Sequence, residues 1–127
     1  MRARWFARTT VTLTTLAIAL SGTAARSQSP RVVQVSAERF AFTPSRIVVD
    51  AGEEIELHLT SDDTAHGFRI ARTNINLTIP KRGRKEAIAT IRLTEPGRYE
   101  FECSRMCGAG HHFMRGELIV RAPGSAK

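Results

Sequence analysis

Glu54-Ile55-Glu56-Leu57-His58-Leu59-Thr60 alternates polar and apolar residues without a fault. A period of two belongs to a strand, whose successive side chains point to opposite faces. The run predicts a half-buried strand with Ile55, Leu57 and Leu59 inward. Glu54, Glu56, His58 and Thr60 face solvent, which makes His58 a surface residue rather than a ligand. Shorter runs of the same kind recur at roughly ten-residue intervals: Val32 to Val35, Phe40 with Phe42, Ile47 to Val49, Gly67 to Ile70, Ala87 to Leu93, Tyr99 to Cys103, and Glu117 to Val120. Residues 72 to 84 read mostly as loop around a short Ile75, Leu77, Ile79 alternation. Thr43-Pro44, Asp50-Ala51-Gly52 and Glu95-Pro96-Gly97 are turn signals between them. Seven or eight such strands predict an all-β chain, an antiparallel sandwich or barrel.

The N-terminus has a different character. MRARWFARTT carries three arginines and no acid, VTLTTLAIAL is an apolar run, and SGTAARSQSP is small and polar. That order is the order of a secretory signal peptide, with cleavage after Ala24, Ala25 or Ser27. A spanning helix needs about 20 apolar residues, and Arg8 stops this run from being lengthened. The chain therefore reads as a signal over 1–25, an N-terminal strand or linker over 26–37, a domain over 38–122 and a tail over 123–127. The expected location is periplasmic, with membrane association only through an uncleaved N-terminus or a membrane complex. Without Arg2, Arg4 and Arg8, nineteen basic residues become sixteen against twelve acidic ones, so the whole-chain charge of +7 falls to +4. Scattered arginines at that excess are no nucleic-acid footprint. The one basic cluster, Lys81-Arg82-Gly83-Arg84-Lys85, reads as a solvated loop rather than a docking patch.

The chemistry concentrates in CSRMCGAGHHFM, residues 103 to 114. Thiolate, imidazole and thioether are the donors that copper selects, and the stretch has no carboxylate for calcium or magnesium. Period two brings Cys103 to a strand end in phase with the core. His66, at a loop–strand boundary far away in sequence, is the further candidate ligand. Two readings stay open. His66, Cys107, His111 and Met114 would suit a single blue copper, leaving Cys103 surplus. Alternatively, both thiolates bridge two coppers with one histidine on each.

CSRMCGAGHHFM resembles the CuA loop of cytochrome c oxidase subunit II and the related loop of nitrous oxide reductase. SDDTAHGFRI resembles that family's loop bearing its first histidine ligand. AFTPSRIVVDAGEEIELHLTS, RTNINLTIP and EPGRYEFECSRMCGAGHHFMRGELIV are also similar to bacterial subunit II proteins. The resemblance spans residues 38 to 121 and implies a cupredoxin-like Greek-key β-sandwich. It implies a binuclear copper centre with Cys103 and Cys107 as bridging thiolates, His66 and His111 as terminal imidazoles, and Met114 and the backbone carbonyl of Arg105 as weak ligands. His112 is expected exposed, and Phe68 and Phe113 are expected to form a dry shell.

The departures from the family are specific. Arg105 stands where many oxidase subunits carry a magnesium-binding glutamate, so no magnesium site is expected. The only tryptophan is Trp5, so the tryptophan-rich electron-entry stretch is missing. The implied function is electron transfer with a c-type cytochrome, oxidase or reductase as partner. It is either the electron-entry unit of a terminal oxidase or a domain with no catalysis of its own. The alternatives are a periplasmic Cu(I) chaperone or storage protein served by a copper-donating protein, and a mononuclear blue-copper protein. An empty sandwich with a Cys103–Cys107 disulfide is the bland reading.

Overall fold

The computed structural model describes residues 29–125, so the expected signal peptide lies outside the described residues. Nine strands form two sheets packed face to face: β1 (Arg31–Glu38), β2 (Ala41–Thr43), β3 (Arg46–Asp50), β4 (Glu54–Ser61), β5 (His66–Ile70), β6 (Asn76–Ile79), β7 (Ala87–Arg92), β8 (Gly97–Glu102) and β9 (Arg115–Arg121). One sheet has the order β2-β1-β4-β7 and the other β3-β9-β8-β5-β6. Among the described residues, no helix is long and apolar enough to cross a membrane.

The alternation in β4 holds as expected. Ile55, Leu57 and Leu59 are buried, and Glu54, Glu56 and His58 line the other face. The expectation of a purely antiparallel sandwich does not hold. β1 runs parallel to β4 and β3 parallel to β9, while the other pairs are antiparallel. The chain crosses between sheets after β2, β3, β4, β6 and β7, so strands that become neighbours are often not consecutive. Period two fixes which face of a strand turns inward, but it carries no information on which strand lies alongside.

The core is a three-ring cluster. Phe42 meets Phe68 at 5.5 Å and Phe101 at 5.4 Å, both edge to face, and Phe68 meets Phe101 at 5.1 Å. Such pairs contribute about 0.5–1.5 kcal/mol beyond area burial. Because Phe68 follows His66 by two residues and Phe101 precedes Cys103 by two, the same pleat that buries these rings turns both candidate ligands inward.

His58 ties the outer face of the first sheet. Its Nε2 lies 2.5 Å from Glu56 and its Nδ1 3.0 Å from Glu86. Only the protonated ring can donate to both carboxylates. The hydrogen bond to Glu56 raises the His58 pKa above the ordinary histidine range, burial opposes the rise, and Glu86 adds to it. A raised folded-state pKa contributes stability that is complete below the unfolded value of about 6.5 and is lost as pH rises through the folded one. Urea unfolding of the metal-free protein should therefore show stability declining across that window. His58→Gln should flatten the decline; an identical pH profile in the variant would remove His58 as its cause.

Candidate metal centre

The candidate ligands converge at one end of the sandwich, where β4 hands over to β5 and β8 to β9. His66 opens β5 and is fully buried, while Cys103 and Cys107 are buried and free. His66, Cys103 and Cys107 bring their ligand atoms within 4.8 Å of one another. The two sulfurs stand 3.8 Å apart. His66 Nδ1 lies 3.9 Å from Cys103 Sγ, and His111 Nδ1 lies 3.8 Å from Cys107 Sγ. Met114 Sδ is 3.9 Å from Cys107 Sγ, and the Arg105 carbonyl accepts from the Cys103 thiol at 3.1 Å. Every residue expected as a ligand is thus in the cluster: besides the other sulfur, Cys107 has His111 and Met114 about it, and Cys103 has His66 and the Arg105 carbonyl.

The local fold explains the convergence. Residues His111–Phe113 form one 3-10 turn, closed by the Met114 amide donating to the His111 carbonyl. In such a turn, residues three apart eclipse. His111 and Met114 therefore face Cys107 together, and the two residues between them are turned away. His112 is exposed, as expected. Phe113 is 84% exposed, so it does not belong to the dry shell that the sequence suggests; the turn aims it at solvent. Phe68, fully buried, does belong to it.

Four residues that the sequence analysis passed over hold this cluster in place. Asp63 Oδ1 accepts from His66 Nε2 at 2.7 Å, which leaves Nδ1 as the nitrogen that faces the sulfurs. Burial pushes the Asp63 carboxyl up, but hydrogen bonds from His66 and from the Arg39 amide outweigh it and hold the pKa below the usual range. Arg39 also donates from Nε to the Cys107 carbonyl at 2.6 Å. Phe40 fills the hollow beneath the loop: a Cβ added at Gly110 would run into its ring. Gly67 lets β5 approach the loop so closely that its amide donates to Cys103 Sγ at 3.4 Å. A carboxylate three residues before a candidate ligand and a glycine just after it were the legible signals, in Asp63-Thr64-Ala65-His66-Gly67.

The donor set decides what the cage suits. Two thiols, two imidazole nitrogens, a thioether and a carbonyl form a soft to borderline set, and the two nearby carboxylates are engaged elsewhere, Asp63 with His66 and Glu102 with Arg69. Without metal, burial pushes the Cys107 thiol up to about 11, helped by the neighbouring Cys103. A bare thiolate is therefore unfavourable there, and a cation is what compensates for it. A cleft of about 270 Å³, bounded by Arg69, Glu102, His111 and His112, opens onto Cys103 and Met114 from solvent. Asp63→Ala should weaken copper binding about 10–100-fold, the usual cost of losing a carboxylate behind a ligating histidine. Asp63→Asn keeps an acceptor oxygen and should lose less. Chelator competition reads both, and an unaltered affinity in the alanine variant would rule out this orienting role.

The family model for the cupredoxin-like domain matches residues 10–120. Cytochrome c oxidase subunit 2 of Thermus thermophilus is 37% identical over 91 residues, covering 70% of this chain. The chain spans 64% of that relative's length. Among solved structures, a heme-copper terminal oxidase dimer aligns with a TM-score of 0.64 and 28% identity, over 72% of this chain and 65% of that one. The periplasmic domain of subunit II of cytochrome oxidase (CoxB) of Bradyrhizobium japonicum aligns with a TM-score of 0.67 at 15% identity, over 76% of this chain and 87% of that one, a likeness of fold.

Proposed function

The chain belongs to the cupredoxin family, and we propose that within it the protein is an exported electron carrier holding two copper ions in one centre. The observation that carries this reading is the pairing of thiols with imidazoles. Each sulfur has its own histidine nitrogen, at 3.9 and 3.8 Å, and the sulfurs face each other at 3.8 Å. A single blue copper needs one thiolate, and nothing in that site would account for the second buried cysteine. In this reading Cys103 and Cys107 would hold the ions as shared thiolates, and His66 and His111 would each supply an imidazole nitrogen. Met114 and the Arg105 carbonyl would be weaker donors.

When bound, the copper pair supplies one-electron redox chemistry spread over both ions. The protein's part is to hold its donors still and dry. Asp63 fixes the His66 tautomer, Arg39 pins the Cys107 carbonyl, and Phe68 closes the interior side. Export through a signal over residues 1–25 would put the domain in the periplasm, where a c-type cytochrome, an oxidase or a reductase is the partner class. The likeness to oxidase subunit II supports that class.

The test is to load the reduced protein with copper, count the metal and record its paramagnetic resonance spectrum. The expected result is two coppers per chain and a seven-line hyperfine pattern, as arises when one electron is shared equally by two copper nuclei. One copper with a four-line pattern would favour the blue-copper reading. Cu(I) that exchanges rapidly with a partner and transfers electrons poorly would favour copper delivery.

A further inference from the structure

Every arginine on a strand is ion-paired with a carboxylate. The cations in the loops at the metal end are not. Among the described residues, Lys81, Arg82, Arg84, Lys85 and Arg105 are exposed and form no ion pair. The basic loop belongs to this end for a structural reason. β6 ends at Ile79, which pairs with His66, and the Arg82 amide donates to the Asp63 carbonyl at 3.1 Å. Asp63 in turn holds His66 and the Arg39 amide. Arg105 lies between the two cysteines and shares an open cleft with Asn76 and Thr78 of β6. The largest exposed apolar side chains are on the same metal loop: Phe113 at 84% and Met106 at 69%. Phe113 adjoins the ligand Met114, and Met106 adjoins the ligand Cys107.

We propose that this end is a docking surface for an acidic redox protein, with Met106 and Phe113 as its apolar centre and the 81–85 loop and Arg105 as its charged margin. The proposal rests on the electron-carrier reading above. Unpaired charge gathered on one face steers an oppositely charged partner and falls in strength with salt. Apolar side chains beside the ligands give close, dry contact where an electron would cross. An anionic bilayer would satisfy the cations, but it offers no electron donor or acceptor at the metal. At the metal end these five cations outnumber the exposed carboxylates without an ion pair, Glu38 and Asp62, while at the opposite end the unpaired Arg72 is laid over the Tyr99 ring; the solvated-loop reading of residues 81–85 leaves that excess unexplained.

The probes are one basic cytochrome c and the same cytochrome with its lysines succinylated, which reverses its charge but keeps its haem. Binding to the full chain is followed by titration calorimetry, with and without copper, and electron transfer by stopped flow. At low salt the succinylated form should bind and react at least about tenfold faster, with the advantage fading as salt rises. Lys81→Glu/Arg84→Glu/Lys85→Glu should invert the preference, and Phe113→Ser should weaken binding at any salt. Equal or better binding of the basic form, or an unchanged preference in the triple variant, would overturn the proposal. Tighter binding to phosphatidylglycerol vesicles than to the acidic cytochrome would also overturn it, and would assign the cations to a membrane. Charge-selective binding without electron transfer would keep the docking surface and sink the carrier reading. Reduction by ascorbate with no charge selectivity would do the reverse.

Discussion

Cys103→Ser is expected to abolish the two-copper spectrum while leaving the sandwich folded. Cys103 Sγ is the most connected atom of the cage. It faces His66 Nδ1 and Cys107 Sγ, donates to the Arg105 carbonyl and accepts from the Gly67 amide. Serine is smaller and can still donate to that carbonyl, so the cost to folding should stay near about 1 kcal/mol. Its hydroxyl, however, does not ionise near neutral pH and is a hard donor that soft copper does not select. On the two-copper reading proposed above, copper per chain should drop from two to one or none, and the shared hyperfine pattern should vanish. Unfolding midpoints of wild type and variant, both metal-free, show whether the fold survived. A variant that still held two coppers would refute the bridging role. One that kept an intense blue single-copper site would show that Cys103 is incidental.

Gly67→Ala should damage the centre without touching a ligand. A Cβ there would lie 2.6 and 2.7 Å from the backbone nitrogens of Arg105 and Ser104, and would overlap Ser104 Oγ as well. The serine side chain can rotate away; the two backbone nitrogens cannot. β5 and the metal loop must separate, so the Gly67 amide withdraws from Cys103 Sγ and His66, one residue earlier, shifts with it. Overpacking of this kind costs about 1–3 kcal/mol in stability. The loss in copper affinity should be larger in proportion, because coordination tolerates displacements of only about 0.2 Å. Ser104→Ala added to Gly67→Ala relieves only the side-chain overlap and should not rescue binding. Wild-type affinity in the single variant would mean that the close approach of β5 to the loop is not required.

Much of this centre was legible because it depends on local pattern. Alternation put Cys103 on the buried face of its strand, and the soft donors of residues 103 to 114 stood out against a stretch with no carboxylate. The outward swing of Phe113 was harder to see. It follows from the short 3-10 turn, which is set by where the loop must reach rather than by the helix-forming tendency of His111-His112-Phe113. The roles of Arg39 and Phe40 left no local sign at all. A turn between β1 and β2 became the floor of the metal loop only because two sheets fold that way. Parallel pairing of β1 with β4 was hidden for the same reason.

The bond from Arg39 to Cys107 spans 68 positions of the chain. Its two ends come from the first turn of the sandwich and from the loop just before the final strand. The cage is therefore not a local structure, because the donors of residues 103 to 114 have no floor until both sheets have closed. Folds dominated by such distant contacts form in milliseconds to seconds. The complete cage, with His66 and its floor, is therefore assembled only once the sandwich has folded. Until then the two thiols have only each other as neighbours of like chemistry, and a disulfide between them would take both donors away from a metal.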